Sequence, residues 1–246
     1  MKRWVPMRAT ANVMLPFILD CTPSPCPWSP LAPPEAGKPA MSLAGKPLPQ
    51  TEGEREALSS VAVASAPAVH GAQQHLALVL LRALERFEAR WKAPADENGL
   101  TLHKRALGGP CIFVEGRQGP SLSFSHGNGR LWAAMSGRGS VGIDVAYPEE
   151  FRGAYPFGRA FSIEEMACAG ALCPGDTARG AALMWAAKEA AVKATGAGFN
   201  FFDPLEVRVG PPLFREEAIL FEVMADRPIS TWVRTEGRGW LSVALA

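Results

Sequence analysis

The order of segments constrains this chain most: a stretch with helical periodicity followed by a run of short strand-like segments occurs twice. In the first round, residues 51–57 (TEGEREA) read as a helix start, with Thr51 as the cap and Glu54 three positions on, as in a capping box. Residues 72–92 carry Leu76, Leu80, Ala83, Leu84, Phe87 and Trp91 at three- and four-residue spacing, which predicts a long helix stopped by Pro94. Strand-like runs come next at 112–115, 121–125, 131–135 and 141–145, separated by glycine-rich turns. In the second round, residues 162–171 and 177–195 read as helices, the latter ended by Gly196 and Gly198. Strand-like runs return at 205–209, 218–223, 230–234 and 240–245, with Gly237-Arg238-Gly239 as the last turn. This order predicts an α+β fold of two similar lobes with a cleft between them. No sequence repeat relates the lobes, so the duplication rests on element order alone.

The predicted organisation is an N-terminal arm at 1–50, a first lobe at 51–146 and a second at 147–246. Nine of the 22 prolines lie between Pro23 and Pro49, which marks an extended connector on the surface. One short apolar stretch, 13–19, lies in the arm. Charge is balanced, 25 Lys and Arg against 24 Asp and Glu, so no global field favours nucleic acid, a membrane surface or a polyanion. A hydrophobic content of 48% with 20% charged residues excludes wholesale disorder. The five cysteines include no C-x-x-C pair, which suits reduced thiols and a cytoplasmic protein. Thr10, Asn12 and Pro16 interrupt the segment after the basic start, so a secretory signal is not expected, and no apolar run is long enough to span a bilayer.

Three segments hold candidate chemistry. In Ser123-Phe124-Ser125-His126-Gly127-Asn128-Gly129, a histidine between a strand and a glycine-rich turn can present its ring to a phosphate; a turn histidine bonded to its own backbone is the plainer alternative. In Val141-Gly142-Ile143-Asp144-Val145, a carboxylate sits in an apolar strand, where it needs a partner or a metal, and Gly142 allows something to approach closely. Mg²⁺ suits such a position, and a strand-end cap is the alternative. In the stretch from Trp185 to Lys193, Trp185, Glu189 and Lys193 are four apart and share one helix face. Glu189 can ligate a metal and Lys193 can meet a phosphate as a point charge, unless they form only a solvated pair. Lys188, about 100° round the helix, is expected to border the same groove.

Taken together, S-H, then G-I-D, then W-x-x-K-E-A-x-x-K resembles the Sfp-type 4'-phosphopantetheinyl transferase family. The resemblance runs from about Gly108 to Gly210 and includes Gly109-Pro110, Ser125-His126, Gly142-Ile143-Asp144, Arg159 to Ser162 with Glu165, Trp185 to Lys193, and Gly196-Ala197-Gly198. It implies two similar helix-plus-antiparallel-sheet lobes with coenzyme A in the cleft between them, and a monomer. It implies transfer of the 4'-phosphopantetheine arm of coenzyme A to a serine of an apo acyl or peptidyl carrier protein, leaving 3',5'-ADP. Asp144 and Glu189 would hold Mg²⁺. Ser125, His126, Lys193 and Pro110 would lie against coenzyme A, and Glu189 or Lys188 would help deprotonate the carrier serine. No nucleic acid or membrane partner is implied.

Two positions depart from the family pattern. A second acid often stands two residues after the aspartate; here that residue is Ala146, with water, Glu149, Glu150 or Glu165 as replacements. A basic residue often precedes the proline of Gly109-Pro110; Lys104, Arg105 or Arg117 is a substitute. These departures motivate an alternative, a catalytically weakened member that binds coenzyme A or a carrier.

Overall fold

The computed structural model describes residues 51–106, 109–215 and 218–246; the N-terminal arm and its Pro-rich segment lie outside the described residues. The first half contains α1 (Glu52–Ser59), β1 (Val61–Pro67), α2 (Ala72–Glu85), β2 (Leu100–Lys104), β3 (Pro110–Val114), β4 (Arg117–Gln118), β5 (Ser121–Gly127) and β6 (Arg130–Ser136). The second half contains β7 (Val141–Ala146), α3 (Ile163–Leu172), α4 (Thr177–Ala194), β8 (Arg208–Val209), β9 (Leu213–Phe214), β10 (Ile219–Met224), β11 (Pro228–Glu236) and β12 (Gly239–Leu245). Every strand pairing is antiparallel among the described residues, and the class is α+β.

The capping box at Thr51 forms as its sequence predicts: Glu54 donates its amide to Thr51 Oγ1, and Thr51 donates its amide to the Glu54 carboxylate. Arg215 then clasps that same carboxylate through two hydrogen bonds, at 2.7 and 2.9 Å, tying α1 to the end of β9. α2 packs Leu76, Leu80, Leu81 and Leu84 onto the three-stranded sheet β1-β6-β5, against Ala62, Ala64, Leu122 and Met135. It stops at Glu85, short of the periodicity. Glu88 is drawn instead into ion pairs with Arg90 and Arg138, and Arg90 also donates to the Gly137 carbonyl. Phe87 is left exposed, while Trp91 still packs on the first core. β2-β3-β4 form a small side sheet that adds Leu100 and Ile112 to this core.

The second sheet has the order β7-β12-β11-β10-β8, with β9 beside β10. Of the run at 205–209 only β8 is a strand, because Asp203 accepts from the amides of Leu205 and Glu206 and turns the chain. β7 falls at the end of the first lobe by element order, yet it is laddered into the second sheet, with Asp144 opposite Ser242 on β12. Its other edge faces β5. There the amides of Val141, Ile143 and Val145 donate to the hydroxyls of Ser121, Ser123 and Ser125, at 3.0, 3.2 and 3.2 Å. Side chains of one sheet thus satisfy the backbone edge of the other.

α4 covers the second sheet. Ala181, Ala182, Ala186, Ala187, Ala190, Ala191 and Ala194 are all fully buried, so the helix lies close. At Gly142 the contact is backbone to backbone: a Cβ there would overlap the Ala190 carbonyl oxygen and lie 2.6 Å from Ala194 N. Gly142→Ala should therefore destabilise the protein by about 1–3 kcal/mol in urea unfolding, as an overpacked contact does. Gly53→Ala, where nothing lies within 4 Å, should be neutral or stabilising by up to about 1 kcal/mol.

Candidate active site

Residues 142, 144 and 146 of β7 alternate onto the face that α4 covers. Asp144 is only 3% exposed there. Its Oδ1 accepts from Ser125 Oγ at 2.8 Å and from Lys193 Nζ at 2.8 Å. The same ammonium pairs with Glu189 Oε1 at 3.1 Å and donates to the Ile143 carbonyl at 3.2 Å. The spacing of Glu189 and Lys193 on α4 thus places both over β7, as the shared helix face predicts. Ser125 comes from the first sheet, whereas Asp144, Glu189 and Lys193 come from the second sheet and its helix. The cluster therefore sits at the seam between them. Shallow hollows lined by Phe87, Glu88 and Arg90, and by Gly53, Ala57 and Trp232, lie around Arg138 and share no residue with it.

Burial dominates the electrostatics. It pushes the Asp144 carboxyl up to about 6, with the Lys193 charge opposing and the Glu189 charge adding to the rise. Burial also works against the Lys193 ammonium, but Asp144 and Glu189 outweigh it and hold that group above the ordinary lysine value. Trp185, one turn before Glu189, anchors the helix rather than the site. It stacks on Phe199 at 4.9 Å and packs near Phe151 and Phe161.

Lys188 does not border the groove, contrary to the sequence expectation. It is fully buried, and its ammonium is consumed by Glu165 Oε2 and the carbonyls of Ala160 and Pro204, each at 2.8 Å. Glu165 accepts in turn from the amides of Ser162 and Val209. One position along the helix rotates the side chain away from β7 and towards α3 and residue 204, so Lys188 is held inside the protein, apart from the Asp144 cluster. Glu165 is thereby committed elsewhere too.

The remaining candidates are spread around the seam. His126 is exposed and its ring takes no hydrogen bond among the described residues; strand alternation turns it to the opposite face of β5 from Ser125. Ser125 itself is 5% exposed, its hydroxyl engaged by Asp144 and the Val145 amide. Pro110 opens β3 opposite Lys104, and a Cβ on its neighbour Gly109 would lie 3.6 Å from the Gly196 carbonyl, at the turn after α4. Arg105 Nη1 lies 4.0 Å from the Cβ position at Gly196, which brings one basic side chain to that turn. Ala146 is fully buried in the core under α4. Glu150, with one carboxylate oxygen on the Tyr147 amide at 2.8 Å, is raised by partial burial and by the Glu189 charge, with the amide bond opposing. Among the described residues no three His, Cys, Asp or Glu side chains converge to hold a metal ion. Sequence reasoning missed the serine seam, although the S-x-S-x-S alternation of residues 121, 123 and 125 signals one hydroxyl-bearing face.

Residues 140–237 match the family model described as the 4'-phosphopantetheinyl transferase superfamily. The matched stretch carries Asp144, Glu189 and Lys193 and leaves Ser125, His126 and Pro110 outside it. The α+β fold with antiparallel sheets is consistent with that superfamily. No curated protein matches the chain.

Two outcomes are expected from these charges. Lys188→Met should destabilise the protein by about 3–5 kcal/mol in urea unfolding, because it strands the buried Glu165. Lys188→Met combined with Glu165→Gln should recover part of that loss. In metal-free protein, Asp144 keeps its proton to about 6 when folded but only to its ordinary value when unfolded. Between these values the folded state binds more protons, so stability should fall as the pH rises through about 6. A pH series of unfolding midpoints should show this slope in the wild type and a reduced slope in Asp144→Asn.

Proposed function

We propose that this chain transfers the 4'-phosphopantetheine arm of coenzyme A to a serine hydroxyl of an apo acyl or peptidyl carrier protein, leaving 3',5'-ADP. The observation that carries the reading is the joining of Asp144 to Glu189 through Lys193 at the seam of the two sheets, inside the stretch that matches the superfamily model. The donor set fits Mg²⁺. Asp144 and Glu189 each leave one oxygen without a hydrogen bond among the described residues, and buried Ala146 offers none. Phosphate oxygens and water suit the other positions, since Mg²⁺ retains waters and needs few protein carboxylates. When bound, Mg²⁺ would neutralise charge on the pyrophosphate and on the departing phosphate.

The protein's own residues supply the rest. Lys193 holds a fixed positive charge between the two carboxylates, beside the place a pyrophosphate would take. The Glu189 side chain is 30% exposed against 5% for Asp144, so Glu189 is the carboxylate that an incoming serine can reach. It is therefore assigned as the base that takes the serine proton while the serine oxygen bonds to phosphorus and the pyrophosphate P–O bond breaks. His126, exposed and without a protein partner among the described residues, is assigned to a phosphate of coenzyme A, and Pro110 to the rim beside Gly196. A member that binds coenzyme A or a carrier with weakened catalysis is the second reading, favoured by the buried Ala146.

The test is incubation with coenzyme A, Mg²⁺ and a panel of apo carriers of fatty-acid, polyketide and peptide-synthetase type, read by intact mass. The arm should appear on at least one carrier, and Asp144→Ala should lower the rate at least about a hundredfold with the fold intact. Coenzyme A binding without any mass gain across the panel would select the second reading. Undiminished transfer by Asp144→Ala would remove Asp144 from the site.

A further inference from the structure

We infer that Ser125 is a positioning residue for Asp144 and not a contact to coenzyme A. The inference rests on the proposed reading of Asp144 as a metal ligand. A serine hydroxyl has one proton to donate and two lone pairs. The Ser125 proton goes to Asp144 Oδ1 at 2.8 Å, and one lone pair takes the Val145 amide at 3.2 Å. The residue is 5% exposed, so little of it is open to a bound molecule. Because Val145 is the residue after Asp144, a single oxygen grips the strand backbone and the carboxylate together.

The consequence falls on the two oxygens of Asp144. Both hydrogen bonds, from Ser125 and from Lys193, land on Oδ1, while Oδ2 takes none among the described residues. Asp144 is thus presented with one oxygen held and the other open, which sets up single-oxygen ligation. Ser121 and Ser123 provide a control within the same strand. Each accepts from a β7 amide as Ser125 does, and neither donates to a carboxylate among the described residues. Of the three serines, Ser125 alone couples the seam to the site. Such outer partners of a ligand govern metal affinity by about 10–100-fold.

The experiment measures Mn²⁺ affinity by electron paramagnetic resonance, and coenzyme A affinity without metal by calorimetry, on the full chain. Ser125→Ala should weaken Mn²⁺ binding about tenfold and leave metal-free coenzyme A affinity within about twofold. Ser125→Cys, similar in size but a poor donor, should weaken Mn²⁺ binding in the same direction and guards against a folding defect in the alanine variant. Ser123→Ala, which breaks a seam bond without touching Asp144, should keep Mn²⁺ affinity within about twofold. If Asp144→Asn loses Mn²⁺ while folded Ser125→Ala and Ser125→Cys bind it like wild type, the positioning role is wrong and the reading of Asp144 stands. A loss of metal-free coenzyme A affinity in Ser125→Ala would overturn the inference by returning the hydroxyl to coenzyme A. Unchanged Mn²⁺ binding in Asp144→Asn would overturn the inference together with the underlying reading of Asp144.

Discussion

The absence of a side chain at Gly142 governs the rest of this structure. With no Cβ there, the backbone of α4 rests directly on the backbone of β7 at Ala190 and Ala194. That contact sets the separation between a carboxylate on the strand and an acid and a lysine on the helix. A longer residue at 142 would lift the helix and separate Lys193 from Asp144, without altering any charged residue. The buried alanines along α4 serve the same end, since each larger residue would widen the gap that Gly142 closes. Packing density and electrostatics are therefore one problem here: the 2.8 Å pair of Lys193 with Asp144, which crosses from helix to strand, exists because the layer beneath it is thin.

Two lysines on α4 show how differently one helix can use the same side chain. Lys188 is sealed by three acceptors, a full complement for an ammonium, and none of its capacity remains for a ligand. Lys193 also meets three acceptors, the Ile143 carbonyl and two carboxylates, but its side chain is 23% exposed and each carboxylate keeps its other oxygen free. The first arrangement fastens the segments around residues 160 and 204 to the helix and resists change, because losing either buried partner strands the other. The second leaves charge at an opening, where an anion can compensate it.

The legible part of the sequence coincides with the reach of its local rules. Glu189 and Lys193 could be placed on one face because helix geometry fixes that relation locally, and Asp144 stood out because a carboxylate in an apolar strand demands a partner. Thr51 and Glu54 announced their capping box for the same reason. Lys188 lies off that face because an offset of about 100° permits either side of a helix. The deciding contacts are a pair of carbonyls 28 and 16 residues away. Just past the end of α2, Glu88 pairs with Arg138, a contact that helical periodicity cannot see. β1 carries no strand signal of its own because V-A-V-A-S-A is made of small and apolar residues with no alternating polar face, being buried on both faces. The assignment of β7 to the second sheet depends on a ladder with the last strand of the chain, a pairing of distant residues that element order does not encode.

The seam between β5 and β7 has a property that an ordinary sheet lacks. A backbone ladder is written into every residue alike and changes only when a strand is lost or slips. This seam is spelled out by three hydroxyls, so it can be edited one letter at a time. Replacing Ser121 or Ser123 loosens the attachment of the two sheets by one hydrogen bond each and leaves both sheets whole. The stiffness of the joint and the composition of the site are therefore separately adjustable, except at Ser125, where both are held by the same oxygen. Variation along this strand offers a graded means of tuning how firmly the halves are coupled, with the chemistry insulated from all but its last step.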